Sequence, residues 1–200
     1  MRRSRSSALV LLAACGPGQV FHNQTRDPEK ACKDVTLAGP EDVAAVAGCS
    51  AVDSITLRTG MALDLSPLGR LVTVRGALAI GPSVGFSELT LPRLASVGKL
   101  RVVGNGNLQG VYLPQLARAD AVEVEGNNVL TNLSMPKLAT VASHVSVTGN
   151  PTLESLDLTA LASAPAINLS NNPKLTVIEG TLPGLQSGRA ESSSNNDPPR

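Results

Sequence analysis

Aromatic side chains are nearly missing from this chain: Phe21, Phe86 and Tyr112 are all it has, and there is no tryptophan. Binding hot spots and base- or sugar-stacking platforms usually rely on such rings, so their scarcity argues against a rigid aromatic recognition pocket. An excess of either charge is missing as well. The 17 basic and 16 acidic residues leave a net charge of +1, which sets up no field to gather nucleic acid, and no nucleic-acid partner is expected. The apolar stretch Ala8–Ala14 falls far short of the roughly 20 residues that span a bilayer. Cysteine is limited to Cys15, Cys32 and Cys49. What remains is a chain of 200 residues, a length that favours one domain, whose core must be built from Leu, Val, Ile and Ala.

The N-terminus carries a basic segment (Arg2, Arg3, Arg5), then that short apolar stretch, then Leu12-Ala13-Ala14-Cys15. Charge, apolar run and small residues before the cysteine read as a secretory signal. The tetrapeptide resembles the lipobox of bacterial lipoproteins. The resemblance implies a signal peptide over 1–14, lipidation of the Cys15 thiol, and anchoring by several acyl chains, which hold a protein to a membrane where one does not. Gly16 lacks the acidic residue that marks retention at the inner membrane in that family, so the bacterial cell envelope, at the outer membrane, is the expected location. Residues 15–31 are rich in Gly, Pro and polar side chains without apolar periodicity and read as a tether. His22, alone in that segment, is expected to be solvated.

The rest of the chain repeats itself. The segments ITLRTG, LAIGPS, LRVVGN, VEVEGN, VSVTGN and INLSNN end at Gly60, Ser83, Asn105, Asn127, Asn150 and Asn172, spaced 23, 22, 22, 23 and 22 residues apart. Each is followed by a second alternating segment (LDLSPL, LTLPRL, VYLPQL, LSMPKL, LDLTAL) and by a third apolar strip at Val74, Val97, Ala119, Val141 and Ala164. Alternation over such short runs predicts strands with one buried face, and Gly-Asn supplies the corner between them. With no helix-length segment inside the period, equivalent strands of successive coils must stack as parallel ladders. The expected fold is all-β, a parallel β-solenoid of about six 22–23-residue coils. Pro92, Pro114 and Pro136 recur at one position, which must lie outside the hydrogen-bond ladder.

Asn105, Asn127, Asn150 and Asn172 form a column expected to bond backbone groups of its own and the adjacent coil, and amide oxygens without carboxylates make a poor calcium site. No metal or other cofactor is implied. Outward positions on the first strand are Thr56, Ala79, Arg101, Glu123, Ser146 and Asn168, with Glu125 one alternation beyond Glu123. Those on the second strand include Thr90, Tyr112, Ser134 and Asp157. Arg101, Tyr112, Glu123 and Glu125 are the candidate contact residues, with Arg101 beside Glu123 as an exposed pair.

Solenoid ends need caps. Residues 32–57 supply one: a short strand at Val35–Leu37, a turn at Gly39-Pro40, a helix from about Glu41 to Ala47, and Cys49 leading into the first coil. With Cys15 lipidated, Cys32 and Cys49 pair without a leftover thiol, a bridge suited to an oxidising compartment. On the double-cysteine cap and the GN coils, residues 32–186 resemble the receptor L domain, and most closely its fungal cell-wall form. The resemblance implies a right-handed solenoid acting as an interaction module. Hormone binding does not carry over, because the second L domain, Cys-rich segment and kinase of the receptors have no counterpart in these residues. Residues 187–200 are expected to be disordered.

Parallel β-helices also include polysaccharide lyases and hydrolases, which cluster carboxylates, basic residues and His across neighbouring coils. His144, the one His of the repeats, has no partner at a recognisable spacing. Arg101, Glu123 and Glu125 give only a weak acid/base set. The reading is therefore a non-catalytic cell-envelope lipoprotein, attached to the membrane through lipid and facing an envelope protein or polysaccharide, with a carbohydrate-active β-helix enzyme as the alternative.

Overall fold

The computed structural model describes residues 31–182. The expectations for the signal peptide, Cys15, the tether up to residue 30, the last solenoid residues 183–186 and the tail over 187–200 lie outside the described residues. In chain order the elements are β1 (Ala31–Cys32), β2 (Val35–Leu37), α1 (Pro40–Val46), β3 (Ala51–Val52), β4 (Ile55–Leu57), a 3₁₀ helix (Ser66–Arg70), β5 (Thr73–Ile80), β6 (Glu88–Thr90), β7 (Ser96–Val103), β8 (Gly110–Tyr112), β9 (Arg118–Glu125), β10 (Asn132–Ser134), β11 (Thr140–Thr148), β12 (Ser155–Asp157), β13 (Ala166–Asn168) and β14 (Val177–Glu179). All strand pairs are parallel, and they form two sheets. The larger runs β1-β3-β5-β7-β9-β11-β13, with β2 and β4 extending its first rows, and the smaller runs β6-β8-β10-β12-β14. The chain is a parallel β-solenoid.

The larger sheet has seven rows rather than the six coils expected, because the strand of the cap joins the ladder as its first row: Val35–Leu37 lies beside Ile55–Leu57 in register. Down the sheet, Val35, Ile55, Leu78, Leu100, Val122, Val145 and Ile167 occupy one column. On the smaller sheet Leu89, Val111, Leu133, Leu156 and Ile178 do the same. Leu100, Val122, Val145, Val111 and Leu156 are fully buried, each contributing on the order of 1.5–3 kcal/mol by leaving water.

The third apolar strip is not a separate element. Val74, Val97, Ala119 and Val141 begin the long strands β5, β7, β9 and β11. In β7, Val97, Leu100 and Val102 are buried while Gly98 and Lys99 between them are not, so alternation breaks and the strand bends there. The bend also explains the uneven period. One residue, Gly98, separates the aligned columns in β7, whereas two, Arg75 and Gly76, separate them in β5; β11 likewise inserts Ala142 and Ser143 opposite Asp120 of β9. The two 23-residue spacings are the two coils that carry such a bulge.

The prolines sit where the ladder stops. Leu94, Leu116 and Leu138 donate their amides back to Leu91, Leu113 and Met135 (3.4, 3.1 and 3.0 Å), closing tight turns with Pro92, Pro114 and Pro136 at the second position, which their fixed φ suits. Two coils have a hydroxyl residue there instead. In both, an Asp two residues earlier takes the exposed amide and the hydroxyl: Asp64 accepts from Ser66, and Asp157 from Thr159. The pairs Asp-Leu-Ser and Asp-Leu-Thr thus replace Leu-Pro by another means.

At the opposite corner Gly104, Gly126 and Gly149 have φ between 63° and 67°, and Asn171 takes the same left-handed conformation at 59°. The next residue is always a buried Asn. From the second Asn onward, the oxygen accepts from the backbone N–H and the side-chain amide of the Asn one coil earlier: Asn127 from Asn105 (3.1 and 2.9 Å), Asn150 from Asn127 (both 3.0 Å), Asn172 from Asn150 (3.0 and 3.2 Å). The amide nitrogens donate to the carbonyls of Ile80, Val102, Val124 and Val147 in the preceding coils. The polar groups of the column are thus spent largely on one another and on the backbone of neighbouring coils.

The cap differs in detail from expectation. Pro40 opens α1 instead of ending a turn, as suits a residue with no N–H to leave unpaired. Asp42 accepts from the amides of Ala38 and Gly39, both 2.9 Å, and those bonds hold its carboxyl below the usual range. Cys32 and Cys49 form a disulfide.

Candidate functional site

Side chains on the outer face of the larger sheet come from strands whose register is fixed by the buried columns beneath. Thr56, Ala79, Arg101, Glu123, Ser146 and Asn168 form one outward column as expected. One alternation earlier, Lys99, Ala121 and His144 form another. Ala121 is small, so Lys99 and His144 on either side of it lean diagonally onto Glu123. The carboxylate receives Lys99 Nζ and His144 Nε2 at Oε1 (2.6 and 3.2 Å) and Arg101 Nε at Oε2 (3.0 Å). Ser143 Oγ, in the β11 bulge, lies 2.9 Å from His144 Nδ1. Three coils thus meet at one side chain.

Partial burial alone would push Glu123 upward, but hydrogen bonds from Lys99 and His144 and the charges of Lys99 and Arg101 outweigh it and hold the carboxyl below its ordinary value. A depressed folded value contributes stability above the ordinary carboxylate range, about pH 4.3, and that stability is lost as pH falls through the folded value. Glu123→Gln is therefore expected to cost about 1 kcal/mol at pH 7, and the gap to wild type should close below about pH 4. Urea denaturation at both pH values reads this out, and a gap independent of pH would show that the charge is not what stabilises.

The Arg101–Glu123 pair was legible because the two residues lie directly opposite. Lys99 and His144 were missed as its partners because they sit one column over, and spacing alone does not say which long side chains lean diagonally. The four candidate contact residues do not share one face. Arg101, Glu123 and Glu125 belong to the larger sheet. Tyr112 belongs to the smaller, in the column Thr90, Tyr112, Ser134, Asp157 and Glu179. Its ring lies back over Gly110, where a Cβ would come within 2.5 Å of it. Glu125 ends β9, exposed, with no side-chain bond among the described residues.

Chemically, Ser143, His144 and Glu123 have the connectivity of a nucleophile, base and carboxylate. The oxygen facing His144 is shared with Lys99, however, and the group lies on an open sheet. Two hollows, of about 350 and 390 Å³, lie elsewhere, along the corner loops, against Val84, Phe86 and Asn107 in one case and Arg58, Pro82 and Gly104 in the other. Glu123, held as a carboxylate, is poorly suited to be a general acid, which needs a raised value. Among the described residues no three His, Cys, Asp or Glu side chains converge as a metal site, and no helix is long and apolar enough to cross a membrane. No family model, curated protein or solved structure matches the chain.

Proposed function

We propose that the protein is a non-catalytic lipoprotein of a bacterial cell envelope, held at the outer membrane by acyl chains on Cys15, whose solenoid offers the outer face of its larger sheet to a protein or a glycan. The observation that carries the binding reading is the Glu123 cluster: its carboxylate is spent on Lys99, Arg101 and His144, so the group forms a fixed polar patch on an open sheet and not a cleft with a poised acid. The resemblance to the receptor L domain points the same way. The second reading, a carbohydrate-active β-helix enzyme, draws on the chain from Ser143 through His144 to Glu123, and sugar release from envelope polysaccharide that disappears in His144→Ala would favour it.

The test is metabolic labelling with a radioactive fatty acid. Wild type is expected to carry label and fractionate with the outer membrane, and Cys15→Ser to lose both. Label that survives the substitution, or its absence from wild type, sinks the lipoprotein reading. In the same cells, Lys99→Glu with Arg101→Glu should abolish cross-links to envelope material while membrane attachment persists. Unchanged cross-links would remove the larger sheet as the contact surface.

A further inference from the structure

The two ends of the solenoid are unlike. At the first row α1 lies across the tube with Val43 and Val46 buried, and Leu37 beneath is fully shielded. At the last row β13 and β14 each end a sheet, so among the described residues each has one side without a partner strand. Every residue of β14 is exposed; Val177 is 46% and Ile178 42% accessible, although Ile178 stands in the same column as the buried Leu156. Ile167, Leu169, Leu175 and Leu182 at this end are only partly buried. The Asn column stops here too. The backbone N–H groups of Asn105, Asn127 and Asn150 each reach an Asn oxygen in the next coil, while the backbone N–H of Asn172 has no acceptor among the described residues.

An apolar tube end flanked by two open strand edges fits a partner with the same cross-section. Both strands are three residues long and neither carries a proline, bulge or lysine; β14 bears one charge, Glu179. Residues 183–200 are PGLQSGRAESSSNNDPPR, in which Leu185 is the one large aliphatic side chain, too little to replace a coil that buries many. We infer that this end is a self-association surface, and that two copies stack end to end about a two-fold axis, continuing the sheets across the interface. A two-fold makes the new strand pairs antiparallel. For β14 paired with itself about Ile178, Glu179 of each copy then lies opposite Val177 of the other, so the two carboxylates are kept apart.

That pairing makes a prediction that a generic sticky surface does not. Sedimentation equilibrium of the full chain should give twice the monomer mass. Val177→Lys, which sets an ammonium opposite Glu179 of the other copy twice per dimer, should tighten association about three- to tenfold, and Val177→Glu should weaken it by a similar factor. Position 177 is exposed, so both variants should keep the circular dichroism of wild type, and Ile178→Lys, at the centre, should give monomer. A wild type that stays monomeric at about 100 µM, where an interface of ordinary size would be populated, overturns the inference. So does a dimer whose affinity is the same for Val177→Lys and Val177→Glu.

Discussion

Asn150→Asp is expected to cost about 3–5 kcal/mol, close to the whole margin by which a domain is folded. The replaced atom is the amide nitrogen, which donates to the carbonyls of Val124 and Thr148 (both 3.1 Å) and to the oxygen of Asn172 (3.2 Å). A carboxylate there turns three attractions into lone-pair contacts inside a tube where Asn150 is fully buried. Either the charge stays and is desolvated without a partner, or the group protonates and serves one of three acceptors. Protonation becomes costlier as pH rises, so the loss should deepen between about pH 4 and 7; the loss in Glu123→Gln deepens over the same range, but there because wild type gains from a carboxylate and here because the variant suffers from one. Chemical denaturation across that range measures it. The column also predicts a gradient. Asn150 makes five side-chain bonds, whereas Asn105 makes two, because its oxygen has no partner. The coil before Asn105 has Ser83 in place of Asn, and the Ser83 hydroxyl turns away to the carbonyl of Thr59 at 2.8 Å. Asn105→Ala should therefore cost clearly less than Asn150→Ala, and equal losses would mean that the bonds along the column do not carry its stability.

The contrast between these two positions shows how far the repeat could be read. Columns follow from a period and an alternation, so the burial of Leu100, Val122 and Val145, the outward placement of Arg101 and Glu123, and the corner role of Gly-Asn all follow from spacing. Exceptions to the period are harder. The extra residue in β5 and β11 was visible as a 23-residue spacing, but not where it would be absorbed, because a bulge can sit at any corner of a coil. The Asp64–Ser66 and Asp157–Thr159 substitutes for proline were present as a pattern, Asp two residues before the hydroxyl, and become intelligible once the turn is seen. Val35–Leu37 is legible as a strand of the cap but not as the first row, since pairing with Ile55–Leu57 depends on how the chain around Pro40 folds back. Lys99 and His144 escaped because side-chain reach is not a property of register.

Removing the bridge between Cys32 and Cys49, by reduction or by replacing both with Ala, should cost about 3 kcal/mol, the chain-entropy value for a loop of this size; the two are 17 residues apart. Where the loss falls is the sharper prediction. In a solenoid each coil contacts only its neighbours, so stability is a sum of local terms and the ends open first. The loop closed by the bridge holds β2 and α1, and α1 covers Leu37. Without the bridge, the first row keeps only its short ladder to β4 and the packing of Val43 and Val46. Amide exchange in β2 and β4 should then accelerate by on the order of 100-fold, the equivalent of about 3 kcal/mol, while β9, β10 and β11, several rows away, keep their protection. Equal acceleration in all strands would mean that the coils unfold as one unit, and that the one-dimensional view of this fold, on which the graded cost along the Asn column also rests, is wrong. Unchanged exchange in β2 and β4 would mean that helix packing suffices to hold the cap, leaving the bridge no share in securing the end of the ladder.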